Sequence, residues 1–214
     1  KLDAAGLRGW LSGRVALVTG AGGSIGSELC RQVARFAPGR LVLFEQNEYA
    51  LYTIEQEFAE RYPGLPVTAV VGDAKDPVRV GQIIPAHAPS VVFHAAAYKH
   101  VPLMESENAW QAVLNNVAGT GVIARAAVAA GVEKFVLIST DKAVNPTSVM
   151  GASKRLAEMV CQASQSPSGT RFVMVRFGNV LGSTGSVILK FREQIARGGP
   201  LTVTHPDITR NELT

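Results

Sequence analysis

The stretch Arg14 to Phe36, RVALVTGAGGSIGSELCRQVARF, constrains the fold more than any other part of the chain. A short apolar run ends at Gly20. A helical pattern follows, with Ile25, Leu29, Val33 and Phe36 at helical spacing. Between them Gly20, Gly23 and Gly26 form a T-G-x-x-G-x-x-G arrangement. Gly20 permits a tight turn off the strand, Gly23 lets backbone approach a pyrophosphate, and Gly26 lets the helix pack close to a sheet. Ser24 and Ile25 open that helix, whose free N–H groups and positive dipole end suit phosphates. The competing reading is a merely flexible turn. The strand before it and the helix after it favour phosphate binding.

The same alternation runs along the chain. RLVLFE, PVTAVVGD, SVVFHAAA, KFVLIST and RFVMVRFGNV read as strands, and helical patterns separate them. The strands are continuously apolar rather than alternating, which predicts a parallel sheet covered on both faces. The expected fold is therefore α/β, a Rossmann-like doubly wound sheet with ligands beyond the carboxyl ends of its strands. With 214 residues, 47% of them hydrophobic, the chain suits one such domain. We expect a lead-in over 1–13 and a dinucleotide-binding domain over 14–200.

The net charge of +4 is spread along the chain, which reads first as solvated faces, second as a site for an anionic small ligand, and only then as nucleic-acid binding. Two cysteines far apart, Cys30 and Cys161, give neither a disulfide framework nor a metal-ligand spacing, so no metal is expected and a reducing compartment is. No apolar run reaches the roughly 18–20 residues that span a bilayer, and no signal peptide is visible. As it stands the chain reads as cytoplasmic. Both ends look cut, so a longer parent protein is expected.

Candidate ligand contacts fall at the strand ends. Glu45 closes the second strand 19 residues after Gly26, where an acidic side chain accepts from adenosine ribose hydroxyls and repels a 2′-phosphate. That favours NAD over NADP, although a solvated carboxylate in a loop with Gln46 and Asn47 is the competing reading. Asp73, followed by Ala74, either accepts from an adenine amino group or caps the next helix. Ala95, Ala96 and Ala97 leave room for a cofactor to lie on backbone. Asn115 either braces this region or is an ordinary satisfied amide.

The segment ISTDKAVNPTSVMGASKR, Ile138 to Arg155, ends the fifth strand. With TGAGGSIGSE, HAAAYKHVPLME and RFGNVLGSTGSV it resembles the extended short-chain dehydrogenase/reductase superfamily. More narrowly, it resembles the polysaccharide-biosynthesis branch of UDP-N-acetylglucosamine 4,6-dehydratases, over Arg14 to Arg210. The resemblance implies that bound NAD takes hydride from C4 of the sugar, water leaves across C5–C6, and hydride returns to C6 with C5 configuration retained. It implies that 201–214 is the start of a substrate-binding region, and it implies a UDP-sugar partner, a homo-oligomer, and a parent chain anchored at the cytoplasmic face of a membrane.

The chemistry requires an acid near C6 and a base at C5. Asp141 is the expected acid and Lys142 the expected base, with Thr140 bonding the 4-hydroxyl and Lys154 the nicotinamide ribose. A surface cap or turn pair is the alternative for Asp141 and Lys142. Met150 stands four residues before Lys154, where most of the superfamily has a proton-transferring tyrosine. It is either a gap-filling core residue or the mark of the methionine type of these enzymes, in which Asp141 shuttles the proton. Lys99, which also lies along the cofactor, His100 and Glu105 are expected near the sugar. Asn179 and Arg210 are expected near the nucleotide diphosphate, and Ser183 in a loop near the uridine. Here Asn211 and Glu212 replace the family's aromatic residues, and most of its carboxy-terminal substrate domain is missing. A UDP-sugar C4- or C5-epimerase and a non-catalytic NAD-binding regulator are the alternative functions.

Overall fold

The computed structural model describes residues 3–180 and 187–202 and the backbone of 212–213. Helix α1 (Ala4–Leu11) precedes β1 (Val15–Thr19), α2 (Ser24–Ala34), β2 (Arg40–Glu45), α3 (Glu48–Arg61), β3 (Val67–Val71), α4 (Pro77–His87) and β4 (Val91–His94). Then come α5 (Ala109–Ala112), a π-helical segment (Val113–Ala118), α6 (Gly119–Ala129), β5 (Lys134–Ile138), α7 (Val149–Ala163) and β6 (Arg171–Val175). All six strands are parallel, in the order β3-β2-β1-β4-β5-β6. The order reverses between β1 and β4, which opens a crevice at their carboxyl ends.

Side chains of each strand point alternately to two faces. Ala16 and Val18 pack with Leu41, Leu43, Cys30, Val33 and Phe58 beneath α2 and α3. Leu17 packs with Val42, Val92, Phe135, Ile84 and Ile123 beneath α4 and α6. Each fully buried aliphatic side chain contributes about 1.5–3 kcal/mol. These two cores hold the strand ends, and therefore the site, at fixed height.

Three features depart from the expected element pattern. The lead-in forms a helix, capped by Asp3 on the Gly6 N–H at 2.9 Å. It docks on the sheet through buried Leu11 and through Trp10, which meets Phe93 edge-on and lies 3.8 Å beneath the Lys134 ammonium. The expected sixth strand breaks after Val175, because Arg176 turns onto a buried carboxylate. Asn179–Val180 (β7) then pairs with Glu212–Leu213 (β8) in a separate ribbon, with α8 (Val187–Ala196) between them in sequence. Finally, the helical stretch Ser106–Ala129 is long and apolar enough by composition to cross a membrane, contrary to the expectation that no segment is. Half of it is buried inside the fold, where Asn115, Asn116 and Thr120 join a polar network.

Candidate active site

The glycine turn takes the expected shape. Gly20 has a φ of +66°, and a Cβ there would lie 2.7 Å from the Ala96 nitrogen. Gly26 presses α2 against the Gly20 carbonyl so closely that any side chain would overlap it. Gly23, which lines the crevice, is the N-cap of α2, and the first turn of the helix follows it. Ser24 and Ile25 form that turn.

A cleft of about 280 Å³ opens beside it. Gly20, Gly22, Gly23, Glu45, Gln46, Asn47, Asp73, Ala74, Ala95, Ala96, Ala97 and Asn115 line it together with Phe44 and Tyr98. Glu45 is buried, and its two carboxylate oxygens accept from the Gly22 N–H at 3.1 Å and the Asn47 N–H at 3.0 Å. Asn47 also caps α3 through the Ala50 N–H. Asp73 is not the cap of α4; Asp76 fills that role. Asp73 instead accepts from the Lys75 backbone and pairs with the Lys75 ammonium at 2.8 Å. Burial works to raise the Asp73 carboxyl, but the Lys75 contacts outweigh it and hold it below the ordinary value.

Lys75 reaches Asn115 Oδ1 at 3.3 Å and stands over the Tyr98 ring. The neighbouring Asn116 is fully engaged. It accepts from the Tyr98 N–H and from Asn115 Nδ2, and it donates to the Tyr98 carbonyl and Ser153 Oγ. Both amides lie in the interior within the π-helical turn.

Beneath the cleft His94 is wholly buried between Thr19 and Thr120. The Thr120 hydroxyl donates to the Asn116 carbonyl at 2.6 Å, so it accepts from His94 Nε2 at 3.0 Å. That leaves His94 Nδ1 to accept from the Thr19 hydroxyl at 2.7 Å. The Thr19 oxygen in turn accepts from the Ala96 N–H. Every group is satisfied with the imidazole neutral. Burial, and secondarily the Lys154 charge, push its pKa down to about 3.

At the end of β5 the proton-transfer candidates stand together. The Thr140 hydroxyl donates to Asp141 Oδ1 at 3.0 Å, and Lys142 Nζ donates to the same oxygen at 3.2 Å. Lys142 Nζ also donates to Asn179 Oδ1 at 3.0 Å, which joins β7 to the pair. Burial works to raise the Asp141 carboxyl, but the bonds from Thr140 and Lys142 outweigh it, and it is held below the ordinary value. Asp141 is therefore ionised at neutral pH. Gly151 packs so tightly on the Lys142 carbonyl that only glycine fits there, which seats the turn on α7. Lys154 is buried, donates to the Ile138 carbonyl at 2.6 Å, and has its pKa pushed down to about 8 by burial.

Met150 lies in a small apolar cluster with Met104 and Ala112, against Tyr98, Val101 and Val149. Glu105 accepts from the Val149 N–H at 2.9 Å and so caps α7 alongside Ser148. Lys99 and His100 are exposed on the loop after β4. Ser183 and Arg210 fall outside the described residues.

Residues 16–214 match the sequence profile of a family described as polysaccharide biosynthesis protein. The chain belongs to that family. The resemblance drawn from the four motifs, and the doubly wound fold drawn from the strand pattern, are both borne out. The capsular polysaccharide biosynthesis protein CapD of Staphylococcus aureus is 50% identical over the whole chain, which covers 36% of it. A UDP-N-acetylglucosamine 4,6-dehydratase (inverting) of Campylobacter jejuni is 31% identical over 93% of the chain and 59% of its own length. Two solved structures share the fold. Pen from Bacillus thuringiensis is 33% identical, with a TM-score of 0.87 over 95% of this chain and 64% of its own. The dTDP-glucose 4,6-dehydratase DesIV of Streptomyces venezuelae, solved as a double mutant with NAD and DAU bound, is 25% identical, with a TM-score of 0.74 over 87% and 63%. The chain thus spans about a third of the length of CapD.

Several residues of the site escaped the sequence reading. His94, Asn116, Lys75, Ser139 and Glu158 are among them. The signals were present but ambiguous. Asn116 directly follows another asparagine in an apolar helix, and Glu158 stands one turn beyond Lys154 on the inward face of α7. A single polar residue on such a face carries no sign of its partner.

Proposed function

We propose that the parent protein of this chain is an NAD-dependent UDP-N-acetylglucosamine 4,6-dehydratase that retains configuration at C5. The observation that carries the reading is the cluster of Thr140, Asp141, Lys142 and Asn179 at the end of β5, beside a Met150 engaged only in apolar packing. NAD fits the cleft by two features. A side chain at Gly20 would fill the cradle, and the Glu45 carboxylate would repel a 2′-phosphate. When bound, NAD supplies a reversible hydride acceptor. Glu45, Asp73 and Asn115 would hold its adenosine end and Lys154 its nicotinamide ribose, with Ala95 to Ala97 beneath it.

The chain's own residues move the protons. Asp141, ionised at rest, accepts the 4-hydroxyl proton through Thr140 as C4 is oxidised. Methionine has no proton to exchange, so Met150 takes no part and serves as an apolar wall. The resulting ketone acidifies C5, and Lys142 removes that proton. That step requires Lys142 as the neutral amine, which would keep two N–H donors for Asp141 and Asn179 and a lone pair for C5. Asp141 returns its proton to the departing C6 hydroxyl, so water leaves. Once hydride is back at C6, Lys142 reprotonates C5 from the side it left, which retains configuration. Lys99 and His100 face the sugar, and Asn179 lies toward the diphosphate. The substrate places the reaction on the cytoplasmic side, with the parent chain anchored at the membrane. The exposed Trp110, Leu156 and Met159 suit a homo-oligomer.

Asp141→Asn in the full-length protein tests the shuttle. It should bind NAD normally and lose turnover by 10²-fold or more, given the usual contribution of a general acid–base of about 10²–10⁴. Met150→Tyr should not raise activity. An active Asp141→Asn variant refutes the shuttle.

A further inference from the structure

Glu158 is a wholly buried carboxylate that the mechanism above does not use. Four donors converge on it. Ser139 Oγ lies at 2.6 Å from Oε1 and Arg176 Nε at 2.8 Å, while Arg176 Nη2 lies at 2.6 Å from Oε2 and Arg155 Nη1 at 3.1 Å. Burial works to raise this carboxyl, but Arg176, Ser139 and Arg155 outweigh it and bring its pKa down to about 2. It stays ionised throughout the working range.

Its partners flank the proton-transfer turn on both sides. Ser139 is the residue directly before Thr140. Its own N–H donates to the Val175 carbonyl at 2.7 Å, at the end of β6. Arg176 follows Val175, and the next carbonyl, that of Phe177, accepts from the Asp141 N–H at 3.1 Å. Two residues further on, Asn179 accepts from Lys142 Nζ. The carboxylate therefore ties together the start of the turn, the strand that receives its backbone, and the approach to Asn179. A surface ion pair would contribute little order, whereas a bidentate pair is geometrically demanding when its carboxylate is wholly buried, even though the Arg176 side chain reaches it from the surface, 40% exposed.

We propose that Glu158 is a positioning residue, which acts through Ser139 and Arg176 to set the depth of Asp141 and Lys142 relative to the sugar. The proposal rests on the dehydratase reading for its effect on turnover, but its geometric content is independent of the substrate. A shift on the order of 1 Å in a reacting group costs up to about 10²-fold in rate. Ser139→Ala removes one link of the clamp while leaving Glu158 paired with both arginines.

The test uses the full-length, NAD-loaded protein. With UDP-N-acetylglucosamine, Ser139→Ala should lower kcat by about 10- to 100-fold, leave KM and NAD content within twofold, and be restored by Ser139→Thr. Glu158→Gln should lower kcat at least as far. The second readout is NMR of protein labelled with ¹³C at the lysine ε-carbons, with the Lys142 signal assigned by its loss in Lys142→Arg. In Ser139→Ala that signal should move, while that of Lys75 stays. If wild-type protein leaves the sugar untouched, the dehydratase reading fails and the lysine spectrum alone decides the positioning role. An unmoved Lys142 signal, or an unchanged kcat in an active enzyme, overturns it.

Discussion

Between pH 7 and pH 5 acid should weaken this fold chiefly through one side chain, His94. The imidazole sits neutral between Thr19 and Thr120 with both nitrogens satisfied, and burial brings its pKa to about 3 from an ordinary 6.5. The unfolded chain binds a proton below about pH 6.5 while the folded chain does not until about pH 3. Stability is then fully present above 6.5 and falls as pH drops toward 3, by up to about 1.4 kcal/mol per pH unit. Between pH 7 and pH 5 the loss comes to about 2 kcal/mol. The other strongly shifted groups titrate outside this interval. Glu158, lowered to about 2 from 4.5, contributes stability above 4.5 that is lost only below it. Lys154, lowered to about 8 from 10.5, alters stability only between those values. Asp73 and Asp141 are lowered carboxyls and act in the acidic range. Urea unfolding at pH 7 and pH 5, for wild type and for His94→Gln, isolates the effect. The variant begins less stable, but its loss between the two pH values should be smaller by about 2 kcal/mol. Equal losses within about 0.5 kcal/mol would refute the neutral, buried imidazole.

Two further substitutions probe the cleft. Gly20→Ala places a Cβ against the Ala96 backbone in a left-handed conformation, which together should cost about 2–5 kcal/mol in urea unfolding. Lys75→Met leaves the Asp73 carboxylate unpaired on the cleft wall. Calorimetry should show NAD binding weakened by no more than about fivefold, because the pair is partly exposed, and less so at high salt.

The sheet was legible because its signal is redundant. RLVLFE became β2 without a residue of difference, and PVRVGQIIPAH became α4 despite Pro85 inside it. Gly20 and Gly26 make the tight turn and the close helix packing that their spacing implies, since a missing Cβ has few other uses at a strand–helix turn. What could not be read depends on contacts between distant residues. Arg176 ends β6 because Glu158, 18 residues earlier, is buried beneath it. Glu105 is occupied with the amide of Val149, 44 residues away, which no local pattern announces. Trp10 and Leu11 turn the lead-in into a docked helix only because Phe93 and Lys134 lie opposite. His94 was visible only as the residue before three alanines, and its two threonine partners come from β1 and α6.

Proton NMR of UDP-N-acetylglucosamine in deuterated water, with the full-length protein, tests the central claim most directly. The account predicts a 4-keto-6-deoxy product that carries deuterium at C5 with configuration unchanged, because Lys142 exchanges its proton with solvent before returning it. An inverted C5, or a C4 epimer without deuterium, would contradict the roles assigned to Asp141 and Lys142. So would an unchanged sugar in a protein that has bound NAD.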